Sequence, residues 1–403
     1  MISGLWTNLR PLTSQFATFF MLIALIGCVH VHEDSAEAIR TRAVAEVERG
    51  ATPGLAVATV EGRTITVDVA GVAALADGRP VERDTAFLWF SITKLFTATA
   101  IMQLHERGEL DIDAPIRDVL EDEWTLREPP GRPITARDLL CHRGGLGNPS
   151  VYDRAHPAGH APATLAEQLA DLSKAHGPRL RRRPGQHARY SNFGYLILGR
   201  MIERADPQGR DYAAYVRGEI LEPLGMVHTD TRWTPQMLAH GALGHSRAKS
   251  MVTSMMVRVA DPGVFGPTLD EWVTTVPFEL EGAPYGGLIG TAGDLAIFLA
   301  AHINHGEWRG RQLLSPASVL AMQTPQTDNR GAELGYGLGW HTGRIDGERY
   351  FNHMGKGGGY RPAVRIWPAR RYGVVILTNR TVYDPRPLTR SAPPRSRPKD
   401  AAG

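Results

Sequence analysis

The sequence predicts an α+β fold in which helices flank one antiparallel sheet and an all-helical lobe is inserted. Stretches rich in β-branched residues stand near both ends of the 403-residue chain. Helical patterns broken by Pro/Gly loops fill about residues 110–280 between them. We therefore expect the two ends of the chain to build the sheet together and the middle to form the lobe.

The N-terminal segment predicts export. Apolar residues 16–27 are too few to span a bilayer but suit the core of a signal peptide. The segment "LIGC", Leu25–Cys28, resembles a bacterial lipobox, whose cysteine is acylated after cleavage. We expect a signal peptide of the lipoprotein type at residues 1–27, a linker at 28–35 and a lipid on Cys28. Ordinary signal cleavage without a lipid is the alternative.

Three elements are predicted in the first part of the domain. Residues 36–50 have the spacing of an amphipathic helix that ends at Gly50. The stretches "GLAVATV" and "RTITVDVAGVA" are joined by a Glu-Gly dipeptide, which predicts a β-hairpin. A long apolar helix is expected from about Ser91 to Glu106.

The last part of the domain returns to strands. "GTAGDLAIFLAAHINHG" predicts a helix, whereas "GYGLGW" and "RYFNHMG" predict strands. "AVRIWPARRYGVVILTN" predicts two strands with a turn at residues 368–371. The domain is expected to span residues 36–380, and the Pro- and Arg-rich residues 381–403 are expected to be disordered.

Composition and charge disfavour several classes of function. The formal net charge of +3 is too small to imply affinity for nucleic acid, and the Arg179–Arg189 run lacks interleaved aromatic residues. Cys28 and Cys141 are the only cysteines, so no disulfide framework is specified. "HVHED" at His30–Asp34 matches the start of a metal-binding pattern, but Ser35 replaces its last histidine. No metal site is expected.

The stretch "LWFSITKLF" places Ser91 and Lys94 one helical turn apart in apolar surroundings. S-x-x-K also occurs at Ser246–Lys249, in a polar stretch, and at Ser396–Lys399, in the tail. Only Ser91 opens a helix after a predicted strand, where its backbone N–H can stabilise an oxyanion. A desolvated Lys94 could accept the serine proton. The alternative is a helix start capped by Ser91, with Lys94 in solvent.

Two further motifs supply polar groups that acyl transfer can use. "RYSNFGYLILGRMIER" places Tyr190 and Asn192 before an apolar helix, where the phenol could shuttle a proton and the amide could donate to a substrate carbonyl. "FNHMGKGGGY" places His353 on a strand that runs into Gly355, so a ligand can approach the backbone. His353 is expected to act electrostatically on the Tyr190 side. Alone, each motif also suits a half-buried tyrosine or a sheet histidine.

In this order and spacing, the three motifs resemble those of the serine β-lactamase and penicillin-binding protein superfamily. The likeness is greatest to its β-lactamase-related group of class C β-lactamases, D-alanyl-D-alanine carboxypeptidases and esterases. It covers roughly residues 36–380 and includes blocks such as "PGLAVATVEG", "ITARDLLCHRGGL" and "GGLIGTAGDLAIFLAAHINHG". The resemblance implies a β-lactamase/transpeptidase-like fold with the site between sheet and lobe, and it implies no metal or organic cofactor.

The resemblance also implies a role for each motif residue. Ser91 would be the nucleophile, Lys94 its base or proton relay and Tyr190 the second proton carrier, and which of the last two is the base stays open. The oxyanion hole would be formed by the backbone N–H groups of Ser91 and Lys356. The implied substrate-binding residues are Asn192, His353, Gly355 and Lys356.

The chain departs from the family pattern in three places. Cys141 stands where the family usually has threonine, a change we expect to be structural. The third motif reads His-Met-Gly, so Met354 lacks the hydroxyl that helps the family hold a substrate carboxylate. A Pro- and Arg-rich tail takes the place of the usual last helix, so one sheet face is expected to be under-covered or the reading frame altered.

These observations predict a serine hydrolase that acts on ester or amide bonds through an acyl-enzyme. We expect a small-ester or D-amino-acid peptide hydrolase on the periplasmic side of a bacterial membrane, held there by its lipid. A β-lactamase is the alternative activity, and a non-catalytic sensor of penicillin or peptidoglycan is the alternative of another class. The expected partners are a small ester, peptide or β-lactam and the membrane, without nucleic acid.

Overall fold

A computed structural model describes residues 35–148 and 152–390. The predicted signal peptide, Cys28, almost all of the predicted linker and residues 391–403 lie outside these ranges. The α-helices of the described residues are α1 (Ser35–Glu48), α2 (Thr93–Glu106), α3 (Arg117–Leu120), α4 (Ala136–Leu140), α5 (Leu165–His176), α6 (Asn192–Ala205), α7 (Tyr212–Val216), α8 (Glu222–Leu224), α9 (Pro235–His240), α10 (Met251–Val259), α11 (Ala283–Gly286), α12 (Ala292–Ile303), α13 (Pro316–Gln323) and α14 (Arg386–Thr389).

Strands lie at both ends of the domain and, in short pieces, between them. They are β1 (Gly54–Glu61), β2 (Thr64–Gly71), β3 (Phe87–Leu88), β4 (Ala155–Pro157), β5 (His245–Arg247), β6 (Phe265–Leu269), β7 (Trp272–Thr275), β8 (Phe278–Leu280), β9 (Ile289–Gly290), β10 (Glu307–Trp308), β11 (Arg311–Gln312), β12 (His341–Ile345), β13 (Glu348–Met354), β14 (Ala363–Trp367) and β15 (Tyr372–Thr378).

The main sheet joins the two ends of the chain, as the sequence predicts. It has six antiparallel strands in the order β12-β13-β14-β15-β1-β2. Leu55 of β1 lies opposite Thr378 of β15. Just after β15, the Asn379 side chain accepts a hydrogen bond from Gly54 N (2.8 Å) and donates one to Val72 O (2.9 Å). Asn379 therefore satisfies backbone groups where the first hairpin meets the last strand.

Helices cover both faces of this sheet. α12 packs on one face against β1 and β15, whereas α1 and α14 pack on the other. Along β1, Ala56 and Ala58 belong to the main core and Leu55 and Val57 belong to the second core under α1. Because successive side chains of a strand point to opposite faces, a strand buried on both faces is apolar throughout.

The helix α2 lies at the centre of the helical half. Every residue from Thr93 to Leu104 is buried, and α2 packs against α6, α7 and α11. A helix that is apolar all round is typical of such a buried position. Lys94 therefore lies at the start of a helix that is buried on all sides from Thr93 to Leu104.

The lobe at about residues 110–280 is mainly helical, but the sequence prediction missed its strands. β4 pairs with β8, and β5, β7 and β6 form a three-stranded sheet. These strands are three to five residues long. Strands this short contain too few alternating apolar and polar residues to be recognised from the hydrophobic pattern of the sequence.

Two further expectations are wrong. Residues 335–340, "GYGLGW", form no strand, and β12 begins only at His341. Residues 381–390 are ordered rather than disordered, because Tyr383 and Leu388 are buried in the second core. This segment and α1 cover the sheet face that was expected to be under-covered.

Among the described residues, no helix has the length and apolar character needed to cross a membrane.

Candidate active site

Ser91 lies in a single 3-10 turn, Phe90–Ile92, immediately before α2. The backbone of Phe90 has φ +45°, a conformation that costs energy for a residue with a side chain. Its ring packs near Phe278 and Tyr360, with centroid distances of 6.3 and 6.1 Å. Packing of the Phe90 ring therefore holds the strained turn that presents Ser91.

The third motif packs directly against this turn, and two glycines make that approach possible. A Cβ atom on Gly355 would lie 2.5 Å from Trp89 O, and one on Gly357 would lie 2.0 Å from the Phe90 ring. Lys356 between them is exposed. No acceptor in the described residues takes the backbone N–H of Ser91 or of Lys356. Both N–H groups are therefore available to a ligand, as an oxyanion hole requires.

Lys94 is completely buried and has no carboxylate partner among the described residues. Its Nζ lies 3.2 Å from Ser91 Oγ, 2.8 Å from Asn192 Oδ1 and 2.6 Å from the backbone oxygen of Tyr285. It also lies 4.9 Å from the centre of the Tyr190 ring. Burial without a counter-charge lowers the pKa of Lys94 well below its usual value.

Tyr190 brings a second polar group to Ser91. Its hydroxyl is buried and makes no hydrogen bond of normal geometry within the described chain. Burial raises the pKa of Tyr190, and the nearby Ser91 hydroxyl offsets part of that rise. The phenol therefore keeps its proton at neutral pH and has a free donor next to Ser91.

The Tyr190–Asn192 tripeptide is fixed where it enters α6. Ser191 caps this helix by accepting a hydrogen bond from Gly194 N at 3.1 Å. The backbone N–H of Asn192 donates to Asn148 Oδ1 at 2.8 Å, and Asn192 Oδ1 is taken by Lys94. The carboxamide NH₂ of Asn192 is then left to face the cavity beside Ser91, which Asn192 lines.

His353 lies on the Tyr190 side, where the sequence analysis placed it, with its ring centre 6.4 Å from that of Tyr190. It is completely buried and is not among the residues that line the cavity beside Ser91. Its Nδ1 lies 3.1 Å from Met354 O, and its Nε2 has no partner in the described residues. Burial first, and then the neighbouring His341 and Lys94, lower the pKa of His353 well below its usual value. His353 therefore acts as a neutral group behind the site rather than as a cation.

Two further histidines surround the site and were missed in the sequence. The ring centre of His142 lies 4.5 Å from that of Tyr190, and that of His341 lies 4.8 Å from that of His353. Burial lowers the pKa of His142 and brings that of His341 to about 4. Both are therefore neutral at neutral pH. His142 stands in the quoted block "LLCHRGGL", which was the available signal for it.

A small cavity opens beside Ser91, with a volume of about 70 Å³. Most of its wall is apolar, and Lys356 is the only charged side chain on it in the described residues. The apolar lining consists of Phe90, Ala155, Met256, Ala260, Val264, Phe265, Phe278 and Leu280. The structure thus brings Ser91, Lys94, Tyr190, Asn192, Gly355 and Lys356 together, with His353 behind them.

Comparison with known proteins identifies the family and the fold of the chain. The model of the beta-lactamase family matches residues 39–392. The chain belongs to the beta-lactamase family. It is similar to penicillin-binding protein 4 of Amycolatopsis lactamdurans, with 27% identity over 338 residues that cover 81% of each chain. The chain spans 52% to 64% of the length of other relatives that it matches.

Solved structures share the fold. The octameric penicillin-binding protein homologue of Pyrococcus abyssi has a TM-score of 0.70 and 23% identity, over 88% of this chain and 75% of that one. The D-amino acid amidase of Ochrobactrum anthropi SV3 has a TM-score of 0.69 and 24% identity, over 87% of this chain and 93% of that one. The β-lactamase/transpeptidase fold class is confirmed, and the chain is a serine hydrolase of this superfamily.

Proposed function

We propose that the chain hydrolyses small ester or amide substrates through an acyl-enzyme on Ser91, with Lys94 as the general base. The observation that carries this proposal is the contact of 3.2 Å between Lys94 Nζ and Ser91 Oγ, made by a lysine with no carboxylate partner in the described chain. A buried amine of lowered pKa is uncharged, and an uncharged amine has a lone pair that can accept a proton.

The hydrogen bonds of Lys94 fit an uncharged amine. Its other two contacts are to oxygen acceptors, Asn192 Oδ1 and the Tyr285 carbonyl. A neutral amine has two N–H donors, and these two oxygens use both of them. In the structure Nζ is the donor to Ser91 Oγ as well. In the uncharged amine the lone pair can instead accept the hydroxyl proton of Ser91 as Oγ attacks the substrate carbonyl.

Tyr190 then completes the proton transfers. The phenol keeps its proton because burial raises its pKa, so it is suited to give a proton to the departing alkoxide or amine. Lys94 returns its proton to the phenolate, and the acyl group stays on Ser91 as an ester. Water cleaves that ester by the reverse sequence of proton transfers. The backbone N–H groups of Ser91 and Lys356 would hold the oxyanion in both steps.

The proposed substrates are neutral and carry a short apolar acyl group. The cavity beside Ser91 is small and largely apolar, which favours such a group. Met354 has no hydroxyl for a substrate carboxylate, and one charge-assisted hydrogen bond is worth about 1.5–3 kcal/mol. Lys356 opposes this argument, because its exposed ammonium on the cavity wall could attract a carboxylate. A β-lactamase activity is therefore the second candidate.

The experiment is a comparison of kcat/KM for short-chain p-nitrophenyl esters, nitrocefin and a D-Ala-D-Ala peptide. We expect the esters to have the highest kcat/KM. Met354→Thr should reduce the difference in kcat/KM between the esters and the other two substrates, and Lys356→Ala should leave ester turnover nearly unchanged. Efficient turnover of nitrocefin that collapses in Lys356→Ala would establish the β-lactamase instead. Binding of penicillin without any turnover would support the non-catalytic sensor of penicillin or peptidoglycan.

Export to the bacterial envelope and acylation of Cys28 are part of the same proposal. They rest on the apolar segment at residues 16–27 and on the "LIGC" tetrapeptide. Detergent partitioning of the full chain expressed in a bacterium tests them. The wild type should enter the detergent phase, and Cys28→Ala should not. A Cys28→Ala variant that still fractionates with membrane would indicate an uncleaved anchor.

A further inference from the structure

A second group of histidines lies in the lobe, on the wall of an open cavity that Ser91 does not line. His156 Nε2 lies 3.9 Å from Glu281 Oε1, and His160 Nε2 lies 3.8 Å from the same oxygen. The two imidazole rings are stacked, with centroids 4.1 Å apart. One ligand atom of each residue lies within 4.8 Å of the others. The three side chains therefore converge on one point.

The local backbone explains why the two histidines meet. They belong to the stretch "AHPAGH", in which His156 is in β4 and a tight turn follows. His160 N donates to Pro157 O at 3.2 Å, and Gly159 in the turn has φ +91°. The turn folds His160 back over His156. Glu281 is delivered by the strand that pairs with β4, because it directly follows β8.

Neighbouring charged groups hold two of the three side chains in position. Asp261 Oδ2 lies 3.5 Å from His156 Nδ1, so the imidazole directs Nε2 towards Glu281. Arg154 Nη1 lies 3.3 Å from Glu281 Oε2, so Oε1 is the oxygen left for the histidines. Oε1 otherwise accepts one long bond, of 3.5 Å, from Ala163 N. A carboxylate on the second nitrogen of a histidine is typical of metal sites, where it orients the ring.

We propose that His156, His160 and Glu281 bind a divalent transition-metal ion of the zinc class. Two imidazole nitrogens and one carboxylate oxygen form a donor set that suits Zn²⁺, with water as the fourth ligand. Bonds of about 2.1 Å in a tetrahedral arrangement separate ligand atoms by about 3.4 Å. The two His–Glu distances of 3.8 and 3.9 Å need small adjustments, and the ligand atoms of the two histidines, within 4.8 Å of each other, need to approach by about 1.4 Å at most.

The site is accessible and has a structural consequence. The three residues lie on the wall of an open cavity of about 600 Å³, so an ion can enter from solvent. The ion would clamp β4 to the end of β8. Ala155 of β4 and Phe278 and Leu280 of β8 line the cavity beside Ser91. Metal binding would therefore stiffen one wall of the candidate active site. This expectation replaces the absence of a metal predicted from sequence.

The test is equilibrium dialysis of the untagged, chelator-treated full chain against Zn²⁺, together with the visible absorption of bound Co²⁺. We expect one tight equivalent of metal on the wild type. His156→Ala and Glu281→Gln should each weaken binding by more than about a hundredfold, and Asp261→Asn, which removes only the orienting carboxylate, by about ten- to a hundredfold. Circular dichroism would establish that each variant is folded.

A matched control is His240→Ala, since His240 forms a second candidate cluster with Glu82 and Asp84 in the part of the chain that the structure describes. This variant should keep the tight site. Zn²⁺ should raise the Tm of wild type and of His240→Ala, but not that of His156→Ala. Equal Zn²⁺ binding by wild type, His156→Ala and Glu281→Gln would overturn the proposal, as would loss of the tight site in His240→Ala. These readouts do not depend on the hydrolase activity.

Discussion

Two fully buried ionisable side chains, Asp138 and Lys94, are treated in opposite ways by this fold. Asp138 in α4 is bound by Arg132 through two hydrogen bonds of 2.9 Å and by Arg143 through one of 2.6 Å. Lys94 in α2 has only uncharged partners in the described residues. The fold thus surrounds Asp138, whose role is structural, with positive charges. It gives no counter-charge to Lys94, whose proton must move during the proposed reaction.

The surroundings extend this difference. Asp138 also accepts from Thr135 N at 3.2 Å in a capping box, so its oxygens are fully used by the structure. Lys94 faces Tyr190 and the neutral histidines instead, and none of these supplies a negative charge. A buried charge with partners stabilises a fold only modestly, but removal of one partner is costly. Burial of an amine without a counter-charge lowers its pKa, so the amine is uncharged at neutral pH.

The largest expected effect is on turnover. Ser91→Ala should lower kcat about 10⁵-fold because the nucleophile is lost. Lys94→Met should lower it about 10³- to 10⁴-fold because the base is lost. Stopped-flow or long-time ester hydrolysis measures both. Turnover by Ser91→Ala comparable with the wild type would end the proposal.

Tyr190→Phe tests the second proton carrier. We expect kcat to fall about 10²- to 10³-fold, while the free energy of unfolding stays nearly constant because the hydroxyl has no hydrogen-bond partner in the described chain. Urea unfolding and ester kinetics on the same samples measure the two quantities. A large loss of stability with little loss of kcat would show that the hydroxyl is structural.

Asp138→Asn should lower stability and leave kcat unchanged, which is the opposite of the result expected for Tyr190→Phe. Two arginines would lose a buried counter-charge, so the free energy of unfolding should fall by about 3–5 kcal/mol. The folded fraction should keep its kcat, since Asp138 does not touch the candidate site. For Lys94→Met we expect a change within about 1 kcal/mol, because two lost hydrogen bonds are offset by removal of a buried amine. Similar losses in both variants would contradict the comparison.

The last prediction concerns how the free energy of unfolding depends on pH. The folded-state pKa of Lys94 lies below its unfolded-state value, so between the two values the unfolded chain binds more protons. The contribution of Lys94 to the free energy of unfolding therefore rises with pH across that window. The difference in stability between wild type and Lys94→Met should shift in favour of the wild type as pH increases towards 10. A difference independent of pH would show that Lys94 is charged in the fold.

The sequence predicted the parts of the site that lie in short local motifs. Ser91 and Lys94 are a helical turn apart, and Tyr190 and Asn192 enter one helix, so spacing alone placed each pair. His142 and His341 were missed because they come from separate loops that only the tertiary fold brings together. The same holds for His156 and Glu281. For His353, the strand was predicted, but its complete burial depended on the tertiary packing of the Tyr190 and His341 rings beside it.

At the level of the fold, the joining of β1 to β15 was predictable because both strands are continuous apolar runs. The ordering of residues 381–390 was not, since their composition is typical of disorder. Besides the buried Tyr383 and Leu388, Thr381 anchors this segment by accepting a hydrogen bond from Gly359 N and by donating its backbone N–H to His245 O. Burial of two side chains in the core under α1 outweighed a Pro- and Arg-rich composition.

The most direct measurement of the central claim is the rate at which a fluorophosphonate labels Ser91, followed by intact mass as a function of pH. If Lys94 is uncharged, the wild type should form a single adduct. The pH dependence of its labelling rate should give an apparent pKa well below that of a free lysine. Labelling should be slower by orders of magnitude in Lys94→Met. Ser91→Ala should show no adduct. Equal labelling rates in wild type and Lys94→Met across the pH range would contradict the assignment of Lys94 as the base.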